Sequence, residues 1–139
     1  ISFGALGAAR DSLEAALAYA KERKQFDRSL ASFQLTQQKL VDMTVELNKG
    51  QLLALNLGRA KDAGTLEPHQ ISVGKLANCR TAIDICRQAR TILGGNGITA
   101  DYSPLRHAAN LESVRTYEGT DEIHTLILGR VLTGEAAFS

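Results

Sequence analysis

The sequence predicts an all-α domain, and three observations carry that expectation. Aromatic residues make up 5% of the chain, with no Trp and only 2 Pro, whereas strands draw on aromatic and β-branched side chains. Ala, Leu, Gln, Lys and Arg are abundant instead, and these are helix formers. Apolar residues also recur at intervals of three and four over long stretches, which is the helical period. At 139 residues, with 44% hydrophobic and 22% charged, the chain has ordinary globular composition and room for one domain.

The elements follow in order. A first helix is expected from about Ser2 to Arg23, with Leu6, Leu13, Leu17 and Ala20 on one face. Lys24 to Ser32 breaks the pattern and reads as a connector. Ser32 is a candidate N-cap for a second helix reaching about Ala63, where Leu40, Met43, Leu47, Gly50, Ala54 and Leu57 form a long stripe and Gly64 stops it. A third helix starts at Leu66 or Glu67, with Pro68 in its first turn, where the missing N–H costs nothing. It carries Leu76, Cys79, Ile83, Cys86 and Leu93 to the glycines at 94, 95 and 97. Ser103 as N-cap and Pro104 at the first helical position open a shorter helix that ends before Thr116. Thr120 caps a last helix with Asp121 and Glu122 in its first turn, where the helix dipole favours acids. Ile123, Leu126, Ile127 and Val131 give that helix an apolar face. The sum is an antiparallel four-helix bundle of long helices with one short extra helix.

Charge and cysteine usage exclude several functions. Lys+Arg 16 against Asp+Glu 15 leave a net charge of +1, so nucleic-acid binding by phosphate neutralisation is not expected. No apolar run approaches the ~20 residues that span a bilayer, so no membrane partner is expected. Cys79 and Cys86 would stand ~10.5 Å apart along a helix, too far for a disulfide. No His or Cys lies at ligand spacing, so no metal is expected. Two small buried thiols suit a reducing compartment.

Three short segments and the histidines carry possible chemistry. Gly94-Gly95-Asn96-Gly97 follows a helix rather than a strand, so it is no dinucleotide fingerprint. It reads either as a helix stop with a left-handed residue or as a close backbone approach to a phosphate. Glu118, in Tyr117-Glu118-Gly119-Thr120, sits beside a glycine just before a helix N-terminus. It is either a solvated surface acid or a positioned base, and spacing does not decide between them. Arg23-Lys24-Gln25-Phe26 ends the first helix with cations suited to its dipole, and with a ring that either plugs the core or covers a ligand. His69, His107 and His124 show no metal or nucleophile pattern, and the latter two read as surface or packing residues.

Taken in order, Tyr19-Ala20, Arg23 to Phe26, Gln34, Ile92 to Gly97 and Tyr117 to Thr120 resemble the acyl-CoA dehydrogenase family, over the C-terminal four-helix domain of its members. Arg106-His107, Asn110-Leu111-Glu112, Thr116 to Thr120, His124 and Ile127-Leu128-Gly129-Arg130 resemble the branch that oxidises and decarboxylates glutaryl-CoA to crotonyl-CoA. Acyl-CoA oxidases and short-chain dehydrogenases of the same fold, and a non-catalytic helical assembly module, are the alternatives.

The resemblance implies roles residue by residue. Glu118 matches the base that removes the α-proton of the acyl thioester, its own N–H helping to polarise the carbonyl. Tyr117 and Gly119 match positions lining the acyl pocket. Thr120 and Glu122 match contacts to FAD, and Arg23, Phe26, Gln34 and Thr91, with the turn at Gly94 and Gly95, match contacts to FAD of a neighbouring subunit. A homo-oligomer, as a tetramer, and electron-transferring flavoprotein as acceptor are implied, in the bacterial cytoplasm or the mitochondrial matrix. Asp27 stands where the family usually has Gly, and Thr91 where many relatives have the longer Gln. The chain opens with Ile1 inside a helical pattern, so a fragment or processed product of something longer is expected. The resemblance implies the C-terminal piece of a longer acyl-CoA dehydrogenase, inactive and poor at holding FAD by itself because most of the pocket lies in the family's other domains.

Overall fold

A computed structural model describes residues 1–137. Among these residues five α-helices are joined by one small hairpin and two short 3-10 segments. Helix α1 spans Ser2–Glu22, α2 Gln34–Asp62, α3 Pro68–Ile92, α4 Ser103–Thr116 and α5 Asp121–Thr133. The first four alternate in direction. Ser2 Oγ donates to the Gly74 carbonyl at 3.3 Å, so α1 and α3 start together. The Tyr19 and Tyr102 rings meet edge to face at 5.7 Å, which sets the end of α1 against the start of α4. Among the described residues no helix is long and apolar enough to cross a membrane.

Helix α3 is the central element, packed by α1, α2, α4 and α5. Its buried set, Cys79, Ala82, Ile83, Ile85, Cys86, Ala89 and Ile92, meets the small residues Ala5, Ala9, Ala16 and Ala20 of α1 and the larger Met43 and Leu47 of α2. Small side chains on α1 allow a close helix approach, and the larger ones fill the remaining space. Gly50 is required at the α2 crossing. A Cβ there would stand 2.7 Å from Leu6 Cδ2 and 2.9 Å from Asn78 Oδ1. Asn78, itself buried, donates to the Gly50 carbonyl at 3.1 Å, so this polar group is satisfied rather than orphaned. Cys79 and Cys86 are both free and buried, as expected.

Several boundaries differ from the sequence reading. The connector after α1 is a hairpin, Lys24–Gln25 paired with Arg28–Ser29. Phe26 and Asp27 form its tip at φ 52° and 62°, the left-handed pair that a tight primed turn needs. Ser32 is not the N-cap of α2: its hydroxyl turns back to the Ser29 carbonyl at 2.7 Å, and Phe33 takes the cap position. Ser103 is the first residue of α4 rather than its cap, because its hydroxyl is drawn 2.5 Å from Asp11 Oδ2 on α1, and Tyr102 caps instead. That helix also runs through Thr116. The start of α3 is as read, with Glu67 as cap, and the Glu67 and Gln70 side chains form a reciprocal capping box.

The largest difference is α5. Its expected apolar face stays largely in solvent, with Ile123 45%, Ile127 41% and Val131 54% exposed. The side turned to α3 carries the buried Asp121 and His124 instead. Periodicity identifies an apolar face, not the neighbour that covers it. Leu17 on α1, at 36% exposure, likewise lies at the edge of its stripe.

Candidate active site

Glu118 sits in the turn between α4 and α5, at φ 52°. A non-glycine residue is disfavoured there and is held only where its surroundings over-determine it. Three sets of contacts supply that support. The Lys75 ammonium, reaching from α3 and only 6% exposed, donates to the carbonyls of both Tyr117 and Gly119. Asp121 Oδ2 accepts from Arg80 at 2.9 Å and Arg115 at 2.6 Å. Burial works to raise the Asp121 carboxyl, but the hydrogen bonds from Arg80 and Arg115 outweigh it and hold the group below the usual carboxylate range. Thr120 caps α5, its Oγ1 accepting from the Ile123 N–H at 3.4 Å.

Gly119 closes the same turn at φ 98°. A Cβ there would lie 2.9 Å from His124 Nε2. His124 is buried, its Nδ1 3.0 Å from Ser72 Oγ on α3, and among the described residues its Nε2 has no hydrogen-bond partner. His124 is therefore the packing residue the sequence suggested, here a wedge under the turn. Glu118 itself is exposed and lines a cleft of about 450 Å³ with Ile1, Phe3, Leu57, Leu66 and Ile71, where Lys61, Lys75 and His124 supply the polar groups. An exposed carboxylate at the edge of an apolar cleft suits proton transfer to or from a mostly apolar ligand.

Tyr117 faces the other way. It lines a second groove, about 560 Å³, between α1 and α4 with Asp11, Arg106 and His107. Asp11 in that groove is held below the usual carboxylate range, first by the Ser103 hydroxyl and also by His107. Glu122, fully exposed on the first turn of α5, is likewise lowered, by its own backbone N–H and then by the Thr120 hydroxyl.

The remaining candidates lie at the opposite end of the bundle. Arg23, Phe26, Gln34, Thr91, Gly94 and Gly95 are all exposed where α1 and α3 end and α2 begins. Asn96 Nδ2 donates to Tyr19 Oη at 3.0 Å, tying the glycine turn to α1. Gly94 ends α3 at φ 59°, the left-handed stop that is one of the two readings of this segment. Thr91 spends its hydroxyl on the Arg87 carbonyl at 2.9 Å. Phe26 is 87% exposed, so the ring does not plug the core. Gly94 lies 19 residues beyond Lys75, roughly 28 Å along one helix. The candidates thus form two groups, Tyr117 to Glu122 at one end and the rest at the other, and no single small ligand touches both.

Sequence reasoning missed Lys75, Ser72 and the Arg80–Asp121–Arg115 bridge. Lys75 had a readable signal: it stands four residues before Cys79, on the stripe that α3 buries, and a lysine on a buried stripe needs a partner. Asp121 was read only for its helix-dipole position.

The fold is an all-α bundle, and the Glu118 turn sets an exposed carboxylate at the edge of its apolar cleft. Residues 1–133 match the family model described as acyl-CoA dehydrogenase, C-terminal domain, and the chain belongs to the acyl-CoA dehydrogenase family. It is similar to a crystal structure of glutaryl-CoA dehydrogenase from Mycobacterium smegmatis, 67% identical with a TM-score of 0.96, over 100% of this chain and 36% of that one. A structure of a glutaryl-CoA dehydrogenase from the same organism in complex with FADH2 is 64% identical, TM-score 0.96, over 99% and 36%. A 3-(aryl)acrylate reductase of Clostridium sporogenes is 36% identical over 124 residues, 89% of this chain and 33% of that protein. The chain spans about a third of the length of these relatives.

Proposed function

We propose that the chain is the C-terminal helical domain of an FAD-dependent acyl-CoA dehydrogenase that oxidises and decarboxylates glutaryl-CoA to crotonyl-CoA. The observation that carries this reading is Glu118, held in a left-handed turn at the edge of an apolar cleft. It stands within a chain 67% identical throughout to a glutaryl-CoA dehydrogenase.

In this reading Glu118 removes the α-proton of the bound thioester, while its backbone N–H donates to the thioester oxygen, where negative charge collects. The apolar walls exclude water from the acyl chain. The residues present fit a flavin at two places. An exposed ring and open glycine backbone at Phe26 and Gly94–Gly95 suit a neighbouring subunit's cofactor, and the hydroxyl and acid of Thr120 and Glu122 suit this subunit's own. A flavin held there would supply the acceptor for the β-hydrogen as hydride. A carboxylate held charged at Glu122 favours a hydroxyl or N–H of that cofactor over its phosphates. Electron-transferring flavoprotein as acceptor, a homotetramer, and a bacterial cytoplasmic or mitochondrial matrix location belong to the same proposal. The isolated chain supplies only part of the pocket.

The test uses the full-length gene product under anaerobic conditions, following the flavin absorbance as glutaryl-CoA or butyryl-CoA is added. Bleaching by glutaryl-CoA with crotonyl-CoA formed is the expected result. Bleaching by butyryl-CoA alone would discard the glutaryl assignment, and peroxide release in air without need of an added carrier would favour an oxidase. Glu118→Gln is expected to keep flavin and fold and to cut turnover at least 100-fold, within the range for losing a general base. Undiminished turnover would remove Glu118 from the mechanism.

A further inference from the structure

Lys75 is a buried ammonium with no carboxylate within ion-pair distance among the described residues. Such a charge is costly unless every donor is met. Here two donors are met by backbone alone, the carbonyls of Tyr117 and Gly119, and the Tyr117 ring lies 5.8 Å from Nζ. Those two carbonyls bracket Glu118.

The peptide unit makes that bracket directional. A trans peptide holds its C=O and the following N–H antiparallel in one plane. Fixing the Tyr117 carbonyl on Lys75 therefore aims the Glu118 N–H away from the Lys75 ammonium. Fixing the Gly119 carbonyl does the same for the Thr120 N–H. The two pinned planes enclose Glu118 and Gly119 with one free peptide between them, so the left-handed pair at φ 52° and 98° is held from both ends. His124 then blocks the space under Gly119, so the turn cannot relax towards α5.

We propose that Lys75 is the positioning residue for the base: by clamping the carbonyls on either side of Glu118, it sets both where the carboxylate starts and where the Glu118 N–H points. This rests on the reading of Glu118 as the base. The third turn of α3, rigid and central, is a suitable anchor for a group whose misplacement by about 1 Å costs roughly 100-fold in rate.

The test is deuterium wash-in at the α-carbon of 3-thiabutyryl-CoA, which has no β C–H to lose, on the flavin-loaded full-length protein. Wash-in needs the base to take the α-proton and return one from solvent, and no electron is transferred. Lys75→Met is expected to slow wash-in at least 30-fold, with flavin content unchanged and KM for the acyl-CoA substrate within twofold. Equal loss of flavin, affinity and wash-in would mark a purely structural lysine and overturn the assignment. Where Lys75→Met loads no flavin, Lys75→Gln, too short to reach both carbonyls, is read in the same way. If neither variant loads flavin, Lys75 serves folding and the positioning role falls. Wash-in lost in Glu118→Gln but unchanged within twofold in Lys75→Met would overturn the Lys75 assignment alone. Wash-in that survives Glu118→Gln would instead overturn the base.

Discussion

The hairpin tip and the Glu118 turn are built from the same unusual backbone and supported in opposite ways. Phe26 and Asp27 stand at φ 52° and 62°, and Glu118 at φ 52°. At the tip the geometry is supplied locally by two short paired strands, and the nearby contacts belong to the same segment. The Phe26 and Phe33 rings lie 6.5 Å apart, and the Arg28 guanidinium stacks 3.9 Å from the Phe33 centroid. At Glu118 the geometry is imposed from a distance, by Lys75 and Ser72 on α3, by Arg80 through Asp121, and by His124. A left-handed residue held by its own turn can be exchanged cheaply. One held by the core transmits any change into the bundle.

Three substitutions sharpen that contrast. Gly119→Ala carries the largest expected effect. The added methyl meets His124 at a φ that L-residues avoid, so overpacking and backbone strain together cost about 3 kcal/mol. Thermal unfolding checks this, and a loss below about 1 kcal/mol would mean that His124 moves aside freely.

Asp121→Asn comes next, at about 2 kcal/mol, the order for a hydrogen-bonded charge, reduced because both arginines are partly in solvent. Its pH signature has a definite sign. The folded Asp121 carboxyl lies below its unfolded value. Its contribution is therefore complete above the ordinary aspartate range near ~4 and is lost as pH falls through the lower folded value. Acid unfolding curves of the native protein and the Asn variant should converge below that range, and parallel curves down to the lowest pH would break the assignment.

Asp27→Gly is the smallest, a change under about 1 kcal/mol in either direction, because glycine fits φ 62° while loosening the unfolded chain. A larger loss would show that Asp27 makes a contact beyond its own turn.

The same contrast explains what could be read from the chain. Helices α1 to α3 and the start of α5 were legible because their stripes, starts and stops are local: Gly94, Pro68 and the Thr120 cap act within a few residues. Glu118 was legible as a candidate because it stands beside Gly119 and ahead of a cap. Its support was not, since Lys75 lies 43 residues upstream of Glu118 and Ser72 52 residues upstream of His124. The failed caps tell the same story. Ser32 and Ser103 have cap chemistry, but the Ser29 carbonyl and Asp11 compete for their hydroxyls. The apolar face of α5 was found correctly, yet α3 receives its polar side.

The two thiols of α3 make the core self-reporting. Cys79 and Cys86 are buried, and burial pushes both thiols up, away from the reactive thiolate. Ser12 Oγ donates to Cys86 Sγ at 3.3 Å, which ties that sulfur to α1. An alkylating reagent therefore reaches either sulfur only when α3 parts from its neighbours, so the labelling rate counts openings of the bundle's central seam. Because Cys79 lies one turn beyond Lys75 and Cys86 nearer the glycine turn, the ratio of the two rates tells which end opens first.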